Sequence, residues 1–362
     1  MRVCIIGAGL SGLSCAIALE RYGIIPDVFE LSERSGGRVP FTAALLQLAH
    51  RPAPDPLLDL RKRYGISIAP IHTLDKLVMF SPRNVAAARG WLGYIVIRGA
   101  HPRSVESQLY AQLSATKIRF NTMGDYRELS ALYDRVVVAT GTTRIAKEMG
   151  CWSDIFRNWA RTAVIEGQFE PGTWLSWYNK SYANNGYGFL GPFSSTEASL
   201  GLIVSDIGEG DLESKWRMFL DTEKINYREK QNYVLEHITG VCYPMEVGNI
   251  TFVGNAAGLM DSLVGFGIYN AIVSGFLAAE SIYEQSSYEQ KISFLKERMY
   301  SGYVGRLALN KFKNDDYDHL LGVLKTPPIN NLIYNTNLNV WAGQGKLLEL
   351  KGRPGLFDKF HA

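Results

Sequence analysis

The hydrophobic pattern changes period repeatedly along this chain, and each change marks an element. Met1 to Ile6 is a short β-branched apolar run that reads as a buried strand. A helix follows at once, in which Ala16 allows close packing and Leu19 and Gly23 carry the pattern to the helix end. Pro26 to Glu30 reads as a second strand. Residues 39–90 read as an inserted helical and loop region, with helix-like pieces at Ala43 to Leu48 and Pro56 to Tyr64 separated by a proline-rich stretch. Strand-like pieces stand at Ile66 to Ala69, Lys76 to Ser81 and Gly93 to Arg98. Ser104 to Leu113 has the start of a helix, with Pro102 ahead of it and Glu106 in its first turn.

Lys117 to Asn121 is a further short strand, and the valine run from Tyr133 to Gly141 reads as a central parallel strand buried on both faces. The period then becomes two. Thr162 to Glu170, Thr173 to Tyr178, Gly186 to Phe193 and Glu197 to Ser205 alternate, with turns at Pro171-Gly172 and Asn184-Asn185-Gly186, as antiparallel strands do. Asn249 to Val253 is a strand that runs into small residues, then a glycine-flanked loop, then a long helix through Tyr283. From Ser287 onward the chain carries amphipathic helical stretches such as Tyr288 to Phe312, broken at Thr326-Pro327-Pro328. This tail can pack on the body, cap a cavity or rest on a membrane face.

The pattern predicts an α/β fold. A Rossmann-like dinucleotide-binding domain is assembled from residues 1–38, 94–150 and 245–285, with 39–93 inserted. An antiparallel β-sheet substrate domain occupies 151–244, and a helical C-terminal tail 286–362.

Composition narrows the function. With 362 residues, 46% hydrophobic and 20% charged, the chain has the make-up of a globular enzyme. No run of eighteen apolar residues is present, and the first apolar stretch is too short for a signal peptide, so a cytoplasmic location is expected, with peripheral membrane contact left open. The four cysteines are scattered without a CxxC pair and read as free thiols; the six histidines lack metal spacing, so no metal is expected. A net charge of +3 is too mild to point to nucleic acid, which leaves a small molecule as the expected partner.

The candidate chemistry starts at Gly7-Ala8-Gly9-Leu10-Ser11-Gly12, directly after the first strand. Three glycines at this spacing permit a tight turn, a close approach of pyrophosphate to bare backbone, and a close helix–sheet contact. The helix start adds unpaired N–H groups and the positive end of its dipole. Glu30 ends the second strand eighteen residues beyond Gly12, placed to accept hydrogen bonds from ribose hydroxyls. Gly36-Gly37 is a turn that brings backbone close, and Arg38 is a cation shaped for phosphate oxygens.

An acid followed, after five residues, by Gly-Gly-Arg resembles a flavoprotein signature, and the resemblance implies FAD with its pyrophosphate along Gly37 and Arg38. Arg98 and Arg103 are further candidates, because an arginine entering the helix after that strand often contacts the cofactor in enzymes of this type. Ala139-Thr140-Gly141 resembles the second FAD-contact motif of two-domain flavoproteins. No second GxGxxG follows it, so no separate nicotinamide domain is expected.

The stretch from Gly254 to Ala279, with Gly265-Phe266-Gly267-Ile268 and Ser274-Gly275-Phe276-Leu277-Ala278-Ala279, is similar to the geranylgeranyl reductase family among the para-hydroxybenzoate-hydroxylase-like flavoproteins. The resemblance places Asn255 toward the ribityl and pyrophosphate oxygens and Gly265 to Ile268 toward the flavin ring. It implies hydride transfer from reduced flavin to a C=C bond of an apolar, isoprenoid-like substrate, with an external electron donor such as NAD(P)H or a ferredoxin-like protein. The chain also departs from the pattern. Asn255 stands for an aspartate, Ser262 for a frequent proline, and Thr140-Gly141 for the Asp-Gly of the hydroxylases. Tyr187-Gly188-Phe189-Leu190-Gly191-Pro192 keeps only the tyrosine and proline of a pocket motif, and the active-site cysteine of some reductases has no counterpart.

Period two puts Tyr187 and Phe189 on one strand face and Trp174 and Tyr178 on one face of a neighbour, as candidate walls of a substrate pocket. No catalytic acid or base stands out, although Tyr187 offers a hydroxyl. A flavin monooxygenase, or a flavin-binding redox protein without turnover, are the alternatives.

Overall fold

The computed structural model describes residues 1–336, apart from Arg38, Pro52, Pro54 and Val264. Val3–Ile6 forms strand β1, Leu10–Arg21 helix α1 and Asp27–Phe29 strand β2. The chain then leaves this unit for β3 (Phe41–Leu46), α2 (Pro56–Tyr64), β4 (His72–Phe80) and the long β5 (Val85–Arg98). It returns through α3 (Val105–Tyr110), β6 (Ile118–Arg119), α4 (Tyr126–Leu132), β7 (Arg135–Val138) and α5 (Arg144–Glu148).

A second excursion follows, through β8 (Trp152–Glu166), β9 (Thr173–Trp177), α6 (Lys180–Ala183), β10 (Tyr187–Pro192), β11 (Glu197–Ser205), α7 (Leu212–Glu223) and β12 (Arg228–Cys242). Strands β13 (Glu246–Val247) and β14 (Ile250–Phe252) lead back to α8 (Ile268–Glu284). The described part of the tail is helical, with α9 (Tyr288–Lys291), α10 (Ser293–Asn310), α11 (Asn314–Leu324) and α12 (Pro327–Tyr334).

Two sheets result. The first has the order β13-β14-β7-β1-β2-β6 and is parallel except at β13–β14. The valine run is its buried centre, as its apolar continuity predicts. The second has the order β12-β8-β11-β10-β9-β4-β5-β3 and is antiparallel except at β4–β9. Residues 39–93, expected to be helical and looped, therefore give most of three strands to the sheet that residues 151–244 build.

Ala43 to Leu48, expected as a helix, is β3 and the start of a 3-10 turn. Alanine and leucine favour a helix in isolation, but register with β5 from Phe41↔Arg98 to Leu46↔Gly93 supplies the ladder and buries Ala44 and Leu45. Ile66 to Ala69, expected as a strand, joins neither sheet. The N–H groups of Ser67 and Ala69 are taken by the side-chain oxygens of Gln112 and Gln108, at 3.2 and 2.7 Å, so this backbone is satisfied without a strand partner.

Helices α1 and α8 cross with almost no side chain between them. A Cβ at Gly275 would lie 2.0 Å from the carbonyl oxygen of Ser11, and Ser14 Oγ donates to the Ile272 carbonyl at 2.6 Å. Gly275→Ala is therefore expected to cost about 1–3 kcal/mol, the usual penalty for overpacking a filled core. Urea unfolding of the two proteins measures it, and coincident midpoints would refute the tight crossing.

Candidate functional site

A cavity of about 580 Å³ is lined from both sheets and from the loops between β1 and α1 and between β14 and α8, within the range of small-molecule and cofactor sites. At the β1–α1 turn the three glycines do different work. Gly7 has φ +105°, and a Cβ there would stand 2.5 Å from the Ala139 carbonyl oxygen; at Gly12 it would stand 1.9 Å from the oxygen of Gly7. Those two let backbone meet backbone. Gly9 has φ −81°, open to any residue, and a Cβ there would meet nothing within 4 Å. Its bareness faces the cavity, as does that of Gly37 and Gly141.

Two helix starts line the same cavity. Gly9 caps α1 and Gly267 caps α8, neither with a side-chain acceptor, so first-turn N–H groups of Leu10, Ser11 and Ile268 are presented to whatever the cavity holds. Such ends favour anionic groups. Glu30 lines the cavity while accepting the Ala8 N–H at 2.7 Å and the Ser32 N–H at 2.8 Å, which ties the glycine turn to the end of β2. Arg98 also lines it, and its Nε donates at 2.6 Å to the fully buried Glu106. Arg103, the other arginine expected here, is exposed and absent from the lining. Arg38 lies outside the described residues.

Aromatic rings form another part of the wall. Trp174 and Phe189 stack with centroids 5.5 Å apart and planes 5° apart, and Tyr187 follows at 6.4 Å from Phe189. Glycines make room for them, since a Cβ at Gly191 would stand 2.2 Å from the Trp174 ring and one at Gly201 would stand 2.3 Å from the Phe189 ring. Gly265, Phe266, Gly267, Ile268 and Asn255 share the lining, and the Tyr187 hydroxyl stands 3.9 Å from the Cβ position of Gly265. Burial pushes the Tyr187 phenol above its ordinary pKa, so it keeps its proton.

Tyr178 shares this strand face but does not line the cavity. Its ring lies 6.0 Å from that of Tyr187 and 5.7 Å from that of Tyr317 on α11, so it backs the wall and the tail covers it.

Two further lining residues stand outside the motifs of the sequence. His50, in the turn after β3, is buried with neither ring nitrogen hydrogen-bonded, its ring 5.1 Å from that of Tyr269. Burial first, and the nearby Arg298 cation second, lower its pKa from 6.5 to about 3. Arg306, from α10, is a buried guanidinium lying 4.7 Å from the Phe156 ring centroid. A lone arginine in the apolar run Tyr303 to Leu309 was the available hint.

Residues 5–51 match the family of NAD(P)-binding Rossmann-like domains. A sequence comparison with curated proteins gives no match. Among solved structures, the chain is similar to a geranylgeranyl bacteriochlorophyll reductase-like protein from Thermoplasma acidophilum, at TM-score 0.73 and 17% identity over 96% of this chain and 98% of that one. It is also similar to a flavin-dependent brominase, at 0.64 and 13% over 97% and 99%. A third is aklavinone-11 hydroxylase in complex with FAD and aklavinone, at 0.59 and 15% over 88% and 70%. At these identities the likeness establishes a shared fold.

The His50 imidazole gives a pH test. Its folded pKa is below its unfolded value, so its contribution is whole above pH 6.5 and is lost progressively as pH falls toward 3. At pH 5 the loss is about 2 kcal/mol, at 1.36 kcal/mol per pH unit. The melting temperature of His50→Gln should fall less than that of the parent between pH 7 and pH 5; parallel falls would contradict a buried neutral imidazole.

Proposed function

We propose that the chain binds one FAD and is a flavin-dependent oxidoreductase that reduces a C=C bond of an apolar, isoprenoid-like substrate. One observation carries the reading: a single cavity joins the glycine turn and its uncapped helix starts to an aromatic sheet face. The donor set fits the cofactor. Bare backbone at Gly9, Gly37 and Gly141, the start of α1 and the Glu106-fixed Arg98 suit a pyrophosphate, Glu30 suits a ribose, and Asn255 can bond a hydroxyl without adding charge. Gly265 to Ile268 and the start of α8 suit the ring, where a positive dipole end favours negative charge.

Reduced flavin, when bound, supplies a hydride to one alkene carbon, and the other carbon takes a proton. The chain's part is to hold the alkene against the ring and keep water away. Trp174, Phe189 and Tyr187 do this by apolar burial, worth roughly 25 cal/mol per Å². Tyr187 is the protonated group beside the Gly265 loop and serves as proton donor or orienting hydroxyl. An external donor, NAD(P)H or ferredoxin-like, then restores the reduced cofactor.

Gly9→Val separates binding from folding. A Cβ at Gly9 would meet nothing within 4 Å, whereas one at Gly12 would strike the Gly7 carbonyl. Purified protein is expected to be yellow with about one FAD per chain. Gly9→Val should keep its melting temperature in the apo state and lose the flavin, and Glu30→Ala should lower occupancy by loosening the turn. Full flavin content in both variants removes the basis of the reading. Anaerobic turnover of the flavin-loaded protein with a chemical reductant tests the reaction, because a monooxygenase forms no product without oxygen.

A further inference from the structure

Arg306 is a buried cation that finds no acid partner among the described residues. Its Nη2 donates to Ser205 Oγ at 2.8 Å, its Nε has no acceptor, and its guanidinium lies over Phe156. Asp206 and Asp261 are near enough to favour its charge, but neither forms an ion pair with it, and burial is the larger effect, lowering its pKa. A buried charge left so is costly unless something else completes it.

Sheet register shows what stands beside it. Asn158 on β8 is paired with Ser205 on β11 and with His237 on β12, so these three side chains form one row, of which Asn158 and His237 line the cavity and Ser205 lies buried beside them. Ser205 Oγ donates to Asn158 Oδ1 at 2.6 Å, which orients the amide, and the amide N–H groups of Asn158 remain for another acceptor. His237 Nε2 is buried without a partner. The next row on the same face is Ile203, Ala160 and Leu235, which is wholly apolar. The cavity therefore has a polar, cationic strip directly beside an apolar one. Helix α10 delivers Arg306 to this strip because Gly302, one turn earlier, lets it approach Asp261 and Ser262: a Cβ there would stand 2.6 Å from Asp261 Oδ2.

We infer that the cavity takes an amphipathic monocarboxylate, its carboxylate held by Arg306 and Asn158 and its apolar body laid over Ile203, Ala160, Leu235 and Phe189. Among the described residues one arginine stands at the strip, so it balances one negative charge; a diphosphate would bring at least two charges without partners there. Arginine meets a carboxylate with parallel N–H donors, which makes the contact both strong and directional. The inference rests on this cavity being the substrate site of the proposed oxidoreductase, and it narrows that substrate from an apolar molecule to an apolar acid.

The test is calorimetric titration of the purified protein, with its flavin content measured in parallel, using farnesoic acid, farnesol and farnesyl diphosphate at pH 8. The acid should bind about 10- to 100-fold more tightly than the alcohol, as a hydrogen-bonded charge pair provides. Arg306→Met should abolish that preference while leaving farnesol affinity within about twofold, and Arg306→Lys should retain part of it. Equal binding of acid and alcohol by the parent protein overturns the inference without any variant having to fold. So does tighter binding of the diphosphate than the acid, or an Arg306→Met protein of unchanged melting temperature that loses both ligands equally. A preparation that holds no FAD yet prefers the acid supports the carboxylate strip and counts against the flavin reading, so the two failures are distinguishable.

Discussion

The crossing of α1 and α8 is the contact on which the site depends. Each helix begins at the cavity, and together they fix two sets of N–H groups in relation to each other although the segments lie far apart in sequence. Close approach requires glycine at 275 against the Ser11 carbonyl, and Ser14 Oγ locks it by bonding Ile272. The same crossing holds the loop after β14: the Gly254 N–H donates to Ser274 Oγ at 3.0 Å, and a Cβ at Gly254 would stand 2.7 Å from Ser11 Oγ. A side chain between these helices would separate the glycine turn from the loop that faces Tyr187, and the cavity would lose its shape at both places.

The eight-stranded sheet supplies the opposite wall by using its two faces for different tasks. Away from the cavity, Trp177 packs against Phe80 and Phe219, and Gly188 makes room for the Phe219 ring. Toward the cavity, Gly191 and Gly201 make room for Trp174 and Phe189. Alternation along each strand thus keeps core packing and cavity lining on separate sets of residues. The tail completes the arrangement from outside, with Tyr317 on Tyr178 and Arg306 beside Ser205.

What the sequence disclosed and what it hid follow from the range of the forces involved. The glycine turn is legible because its demands are local: Gly7 and Gly12 must be bare for their neighbours, and at Gly9 no neighbour in the chain demands it. Three strands between residues 173 and 205 are legible from alternation, whereas the one expected at Thr162 to Glu170 ends at Glu166 and begins ten residues earlier, at Trp152, where aspartate, arginine and asparagine interrupt the apolar pattern. Ala43 to Leu48 was misread because its residues favour a helix and only pairing with a strand some fifty residues later makes it β3. Strand β12 leaves little trace in the sequence because many of its residues are polar or charged and its alternation is weak. Tyr178 has the right parity for a pocket wall, but parity says nothing of the α11 ring that covers it. His50 and Arg306 were hidden for the same reason, since only the assembled fold shows that a turn and a tail helix bring them to one cavity.

The most direct test of the account is a crystal structure of the protein purified with its flavin. The pyrophosphate is expected against Gly9 and Arg98, and the ring between the Gly265–Ile268 loop and the Tyr187–Phe189 face. A dinucleotide that avoids Gly9, or a ring turned away from β10 with Tyr187 and Phe189 out of its reach, would contradict the claim that one cavity serves both cofactor and substrate.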